Sequence, residues 1–207
     1  MDFPPEAADR LAEILRWRRD VRHFRTDPVP DALLSRLRHA MELSPSVGNA
    51  RPWRVIQVEN AGLRQAVHDS FLAANQDAAA SYDDAARAEY LRLKLAGLDH
   101  APVHLAVFSV AEPSEGRRLG RQTLPETLTQ STAMAIHAMW LMARALNLGL
   151  GMVSILDPRA IERIFTVPED WQFAAYLCIG WPEFQDDTPL LHRTGWQPNT
   201  ALDWQIR

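Results

Sequence analysis

Hydrophobic residues recur along the chain at two alternating spacings, which predict helices and strands in turn. Leu11, Ile14 and Leu15 lie at helical spacing among charged residues and predict a helix over residues 6–19. A second helix is expected to begin just after Pro30, and its apolar face is formed by Leu33, Leu34, Leu37 and Met41. The segments predicted as strands are 53–59, 103–110, 152–156 and 173–180. Since no linker interrupts this order, we expect a single domain over residues 1–207.

The segment 125–147 is apolar in nearly every direction around a helical turn. A helix that is apolar all round must be buried all round. Thr129, His137 and Arg144 interrupt it, so it is no membrane span. We therefore predict a central helix that packs with one flank on a sheet and with the other on a partner chain, as in a homodimer.

Two segments depart from this core pattern. Residues 61–99 are rich in alanine and polar side chains, and predict two helices without a strong apolar stripe. Such a segment is typical of a mobile lid over a site. Residues 181–207 contain prolines and tryptophans and predict an irregular tail, which we expect to be docked on the protein or on a partner subunit.

Composition and charge exclude several classes of protein. The chain has 22 basic and 26 acidic residues, a net charge of −4, and 47% hydrophobic residues. This balance gives no reason to expect nucleic acid or an anionic membrane as a partner. The single cysteine, Cys178, cannot form an internal disulfide and fits a reducing compartment. No stretch reaches the roughly 20 apolar residues of a membrane span, so we expect a cytoplasmic protein.

Two short motifs have ordinary explanations. His100 and His104 have the spacing of a helical metal-ligand pair, but Pro102 breaks the helix that would align them. We therefore expect no metal site. The run Gly149-Leu150-Gly151 follows a helix and precedes a strand, which is the reverse of a phosphate-binding glycine loop. We interpret it as a helix C-cap.

Two other segments are candidates for a binding site. The run Arg18-Arg19-Asp20-Val21-Arg22, hereafter the arginine segment, has three guanidinium groups that can converge on one dianion. The alternative is that these cations only complement the dipole of the preceding helix. Residues 44–52, hereafter the proline loop, combine small polar residues with two prolines. This loop is either a rigid connection or a surface on which a flat ligand approaches backbone N–H groups.

The two segments together resemble the flavin-binding nitroreductase superfamily. The matching runs are the arginine segment with Phe24, Ser44-Pro45-Ser46-Val47-Gly48 followed by Pro52-Trp53-Arg54, and Leu148-Gly149-Leu150-Gly151-Met152-Val153-Ser154-Ile155-Leu156. More narrowly, the run Leu119-Gly120-Arg121-Gln122-Thr123-Leu124-Pro125-Glu126-Thr127, with Asp20 and Ser154, resembles the branch that forms a dimethylated benzimidazole from its own flavin. The resemblance covers residues 10–182.

The resemblance implies an α+β nitroreductase-like fold, with a central mixed or antiparallel sheet surrounded by helices. It also implies an intertwined homodimer that binds FMN between its subunits, with residues 61–99 as a helical lid. The implied activity is the oxygen-dependent fragmentation of bound FMNH2 to 5,6-dimethylbenzimidazole, the lower ligand of vitamin B12, and erythrose 4-phosphate. FMNH2 would then be both cofactor and substrate, O2 the oxidant, and a separate flavin reductase the source of FMNH2.

The resemblance also implies roles for individual residues. Arg18, Arg19 and Arg22 would bind the FMN phosphate and nearby polar atoms, with Val21 in the same contact. Pro45 and Ser46 would lie along the isoalloxazine ring. Asp20 would face the ribityl chain as a general base or orienting group, and Ser154 would lie near the reactive edge of the ring. These two are the candidate catalytic residues.

The remaining expectations concern the charge of Asp20 and two alternatives to the implied activity. Because arginines flank Asp20 in the sequence, we expect them to keep its carboxylate ionised. One alternative function is an NAD(P)H-dependent FMN nitroreductase or flavin reductase on the same fold. The other is a flavin-binding module without catalytic activity.

Overall fold

The computed structural model of the chain describes residues 1–80, 82–83, 87 and 97–207. Within these ranges the helices are α1 (Glu6–Trp17), α2 (Asp31–Glu42), α3 (Ala61–Ala80), α4 (Gly97–His100), α5 (Thr127–Ala145), α6 (Pro158–Phe165) and α7 (Leu190–Arg193). The strands are β1 (Trp53–Gln57), β2 (Val103–Val110), β3 (Gly149–Val153) and β4 (Trp171–Gly180), and single 3-10 turns lie at Val47–Asn49 and Glu115–Arg118.

The four strands form one antiparallel sheet in the order β1-β2-β4-β3. All eight residues of β2 are buried, because helices cover both faces of the sheet. Leu105 and Val107 point to the face covered by α2 and α5, whereas Ala106 and Phe108 point to the face covered by α3 and α6. The α+β class and the antiparallel sheet predicted from the sequence are confirmed.

The helix α5, hereafter the central helix, is buried on one flank only. Ala135, Met139 and Ala143 pack in the core against the sheet. On the opposite flank Met134 is 44% exposed within the single chain. An apolar groove runs along that flank, and it is lined by Leu11, Ile14, Ala40, Leu43, Ser44, Pro45, Ala133, Met134, His137, Ala138, Leu141, Met142 and Ala145. One chain therefore leaves uncovered the flank for which the sequence predicts a partner.

The end of the central helix corrects the interpretation of the glycine run. The left-handed residue that ends the helix is Asn147, with φ 61°. The N–H of Leu148 donates to the carbonyl of Ala143 at 2.8 Å, which closes a Schellman motif. Gly149 and Gly151 lie inside β3, and that strand covers Gly149–Val153 instead of residues 152–156. The prediction was wrong because an asparagine supplies the positive φ, which leaves the glycines for close packing.

The two peripheral segments match their predictions in part. The first half of the 61–99 segment is helical as predicted, and the prediction of a second helix in this segment falls almost entirely on residues outside those that the structure describes. The tail has one short helix, Leu190–Arg193. Beyond it Leu202, Trp204 and Ile206 are exposed in the single chain, Trp204 to 80%. These residues do not dock on their own chain, and docking of the tail on a partner subunit stays a prediction.

A buried histidine bridges two strands in the core. His104, 1% exposed, lies 3.0 Å through Nδ1 from the hydroxyl of Tyr176 and 3.1 Å through Nε2 from the carbonyl oxygen of Ala101. Burial and the charge of Arg64 lower the pKa of His104 to about 4. The imidazole is therefore a neutral core group at physiological pH.

This shift predicts a loss of stability in mild acid. As the pH falls below 6.5 the unfolded chain takes up a proton on His104 and the native chain does not, until the pH approaches 4. Stability therefore falls in that window, by about 2 kcal/mol between pH 7 and pH 5. Urea unfolding at fixed protein concentration should show this fall, and His104→Gln should remove most of it. An equal fall in the variant would assign the effect to other groups.

Candidate active site

The arginine segment crosses from α1 to the outer edge of the sheet and is bound there by its backbone. The N–H of Val21 donates to the carbonyl of Leu150 at 3.1 Å, and Asp20 bridges Leu150 in parallel. The strand at this point has no side chain at Gly151, because a Cβ there would lie 2.1 Å from the carbonyl oxygen of Val21. The close approach of two backbones explains the glycine.

Trp140 on the central helix orients two of the arginines. Its indole Nε1 donates to the carbonyl oxygen of Arg19 at 3.1 Å. The guanidinium of Arg18 lies 5.0 Å from the centre of its ring, in cation–π contact. The Nε atoms of Arg18 and Arg19 are buried and have no hydrogen-bond partner among the residues that the structure describes. Burial, and then the charge of Arg18, lower the pKa of Arg19, while Asp186 and Asp187 oppose this.

Unsatisfied buried guanidinium nitrogens indicate a missing acceptor. A buried polar donor without a partner loses roughly 1–3 kcal/mol. A phosphate dianion at this position would supply both the acceptors and the compensating charge. The arrangement therefore favours anion binding over the alternative in which the arginines only complement the helix dipole.

A cavity of about 370 Å³ opens beside this segment. The arginine segment, the end of the central helix and the first residues of the tail line it together. Its lining comprises Trp17, Arg18, Arg19, Asp20, Val21, Arg22, His23, Trp140, Arg144, Leu148, Gly149, Leu150, Pro182, Phe184, Gln185, Asp186, Thr188, Pro189, Leu190, Leu191 and Arg193. All five predicted residues of the arginine segment thus face one concave site.

The Asp20 carboxylate is fixed by two contacts. Its Oδ1 accepts from the N–H of Met152 at 2.9 Å, and its Oδ2 lies 3.4 Å from Nε of Arg22. Burial raises the pKa of Asp20, although the Met152 hydrogen bond and the charges of Arg22 and Arg18 oppose the rise. The flanking arginines are expected to keep this carboxylate ionised, and that stays a prediction. In the folded chain the desolvation of Asp20 outweighs the opposing charges and sets the direction of the pKa shift.

The other predicted residues lie elsewhere in the single chain. Ser154 follows β3 directly and is exposed, two residues beyond the Met152 amide that binds Asp20. Pro45 and Ser46 do not line the cavity, and Pro45 lies on the apolar groove instead. The hydroxyl oxygen of Ser46 accepts from the N–H of Arg51 at 2.9 Å. One chain alone therefore does not bring the proline loop to the arginine segment.

One residue of the site, Trp140, escaped the sequence analysis, and a second, Arg193, lies in a stretch of the tail that resembles the family only loosely. Trp140 has the pattern of a core aromatic residue, and nothing in its spacing distinguishes it from one. Arg193 lines the cavity from the tail and forms an ion pair with Asp186. It is about 170 positions from the arginine segment, so only the fold brings the two together. It ends the four-residue helix α7, which is too short for periodicity to predict.

Among the described residues, no group of three or more His, Cys, Asp or Glu side chains is arranged to hold a metal ion. The same part of the chain has no helix with the length and apolar character needed to span a bilayer.

Comparison with known proteins places this geometry in a family. The model of the nitroreductase family matches residues 15–181. A protein named 5,6-dimethylbenzimidazole synthase from Rhodobacter capsulatus is 56% identical over 207 residues, which is 100% of both chains. One of the same name from Rhodospirillum rubrum is 46% identical over 195 residues, 94% of this chain and 92% of that protein. The crystal structure of oxidised iodotyrosine deiodinase with FMN and 3-iodo-L-tyrosine superposes with a TM-score of 0.72 at 20% identity, covering 95% of this chain and 97% of the other.

Proposed function

This chain belongs to the nitroreductase family. We propose that it is an oxidoreductase that fragments FMNH2 with O2 and releases 5,6-dimethylbenzimidazole, erythrose 4-phosphate and the remaining pyrimidine part of the flavin ring. The relatives of 46–56% identity over nearly the whole chain have the corresponding synthase name. The observation that carries the proposal is the Asp20 carboxylate, fixed by the Met152 amide among three arginines at the cavity.

The residues at the cavity fit FMN. The buried, unpaired Nε atoms of Arg18 and Arg19 are donors that lack an acceptor, as a phosphate site requires. The glycine edge of β3 lets the backbone of Val21 lie close to the strand, so the segment is rigid before ligand binds. Arg18, Arg19 and Arg22 would hold the phosphate and nearby polar atoms. Arg193 would add a fourth guanidinium from the tail.

The residues of the chain position the flavin and accept protons from it. Reduced flavin, when bound, supplies the electrons that reduce oxygen and the carbon skeleton of the product. Asp20 has a free lone pair on each oxygen besides the contacts to Met152 and Arg22. It can accept a hydrogen bond or a proton from a ribityl hydroxyl, and its raised pKa suits that exchange. Ser154 can donate or accept near the reactive ring edge.

The complete site requires a homodimer. The proline loop borders the apolar groove along the central helix, and both lie on the surface that one chain leaves uncovered. A second copy on this surface would bury the groove and would place Pro45 and Ser46 in the partner's site. The exposed apolar tail residues Leu202, Trp204 and Ile206 fit an intertwined contact of the same kind. Residues 61–99 would cover the bound ring and exclude water.

The decisive experiment supplies chemically reduced FMN to the purified protein in air. Mass spectrometry should detect 5,6-dimethylbenzimidazole and erythrose 4-phosphate, which a separate flavin reductase would sustain over many turnovers. Steady NADH oxidation with a nitroaromatic acceptor and no benzimidazole would instead identify a nitroreductase or flavin reductase. Bound FMN without any new product would identify a binding module.

Replacing Ser154 should affect chemistry more than binding. Ser154→Gly removes the hydroxyl at an exposed position, so FMN affinity should remain within about twofold of the wild-type value, because no buried contact is lost. The benzimidazole yield should fall by about tenfold or more, with hydrogen peroxide in its place, as loss of one positioned hydrogen bond implies. Ser154→Thr keeps the hydroxyl and is the matched control. Equal yields from the wild type and Ser154→Gly would assign the serine a structural role only.

A further inference from the structure

The turn formed by residues 113–121, hereafter the buttress turn, has an unusual backbone. Gly116, Arg117, Arg118 and Gly120 all have positive φ, between 48° and 80°. Side chains other than glycine adopt this region at a cost of roughly 1–2 kcal/mol each. Such a conformation persists only where the surrounding structure holds it.

Arg121 holds the buttress turn from within. The residue is 8% exposed, and its Nη2 donates to the carbonyl of Pro113 at 2.6 Å while Nη1 donates to that of Glu115 at 3.4 Å. The described residues include no ion pair to this guanidinium, and its Nε is buried without a partner. A buried arginine whose donors go to backbone carbonyls is costly unless it determines a conformation.

The proline loop packs directly on this turn, backbone against backbone. A Cβ added at Gly48 would lie 2.9 Å from the carbonyl oxygens of both Gly116 and Leu119. A Cβ at Gly120 would lie 2.8 Å from Cγ2 of Val47. These distances leave no room for a Cβ at either glycine, so the turn and the loop fit against each other only with glycine at both positions.

The proline loop is attached on its other side to the central helix. The N–H of Val47 donates to the hydroxyl oxygen of Ser131 at 3.1 Å. The loop thus lies between a rigid helix and the buttress turn. Hydrogen bonds within the loop supply part of this geometry, such as the N–H of Asn49 to the carbonyl of Ser46 at 3.0 Å, but Gly48, with a φ of 56°, can adopt other conformations.

We propose that Arg121 is a positioning residue for the flavin: through the buttress turn it sets the conformation in which the proline loop meets the isoalloxazine ring. The inference rests on the proposed function, in which Pro45 and Ser46 contact that ring. Arg121 itself does not touch the ligand. It acts through Gly116 and Gly120 on residues 45–51.

The first test replaces Arg121 with lysine, which keeps the charge but lacks the forked donors. FMN affinity is measured by quenching of flavin fluorescence, and the bound oxidised flavin by its visible absorption. We expect about tenfold weaker binding, as loss of a charged hydrogen bond implies, and a shifted absorption envelope. Arg118→Lys, at an exposed arginine of the same turn, should change neither. If Arg121 only stabilises the fold, Arg121→Lys will lower Tm but leave the FMN affinity and the flavin spectrum of the folded protein unchanged. That result would overturn the proposal.

The second test leaves Arg121 in place and alters the contact. Gly120→Ala, at φ 80°, forces a Cβ against Val47, whereas Gly195→Ala, at φ 81°, places a Cβ with no atom within 4 Å. Both carry the same backbone strain, so their difference isolates the packing on the proline loop. We expect Gly120→Ala to weaken FMN binding by about tenfold relative to Gly195→Ala, by the cost of overpacking. If Arg121→Lys does not fold, these two glycine variants still test the contact between the buttress turn and the proline loop. Equal FMN affinities of Gly120→Ala and Gly195→Ala would refute the positioning role.

The test of the proposed reaction is independent of the test of Arg121. If the wild type binds FMN and forms no benzimidazole, the proposed reaction is wrong, and the affinities still decide the role of Arg121. If the wild type does not bind FMN, both proposals are wrong.

Discussion

Replacing Asp20 with asparagine is expected to abolish benzimidazole formation while FMN still binds. The amide oxygen of asparagine can accept from the N–H of Met152 as Oδ1 of Asp20 does, so the arginine segment should stay on the edge of β3. What is lost is the negative charge and the ability to take a proton. General-base groups contribute roughly a hundredfold to ten-thousandfold in rate, and the rate of product formation should fall by that factor.

The measurement compares product by mass spectrometry with FMN affinity by fluorescence quenching in the same preparation. Asp27→Asn is the matched control, since Asp27 follows the same segment, is exposed, and pairs only with Arg25 at 3.5 Å. That variant should behave as the wild type. Product formation by Asp20→Asn at the wild-type rate would reject the role of the carboxylate, and loss of FMN binding would reassign Asp20 to binding.

Adding a single methyl group at Gly151 should detach the arginine segment from the sheet. The new Cβ would lie 2.1 Å from the carbonyl oxygen of Val21, a backbone atom that cannot rotate away. Overpacking of this kind costs roughly 1–3 kcal/mol, and the strain falls on the bonds that hold Asp20 and Val21. We expect Gly151→Ala to lower FMN affinity by about a hundredfold, because three guanidinium groups lose their common position.

The control for this prediction is a glycine whose new methyl group meets no described atom. At Gly195 an added Cβ has no described atom within 4 Å. Gly195→Ala should therefore leave FMN binding unchanged, and the strain of alanine at a φ of 81° should lower Tm slightly. Tm and FMN affinity are measured for both variants. Wild-type affinity in Gly151→Ala would show that the segment is not held by this contact.

The sequence predicted most of the elements because local spacing determines them. The helix from Asp31 and the strand Val103–Val110 begin where the pattern places them, and Asp157 caps the helix at Pro158 through its side chain, which accepts from the N–H of Arg159. The α+β class and the family followed from short motifs in the correct order, and the comparisons confirm both. The error at β3 arose because a glycine run can form a helix C-cap or can lie in a strand that packs closely on a neighbour. Only contacts between distant parts of the chain distinguish the two.

Some properties of this protein therefore follow from the local sequence, and others follow only from long-range packing. The sequence alone determined which residue types could bind and react, because the arginine segment, Asp20 and Ser154 have their chemistry wherever they lie. Only the tertiary structure decided their surroundings: burial raises the pKa of Asp20 although arginines flank it, and Trp140 and Arg193 enter the site from distant parts of the chain. The reason is physical, since desolvation and backbone contact depend on neighbours in space, and these neighbours are separated by more than a hundred positions in the sequence.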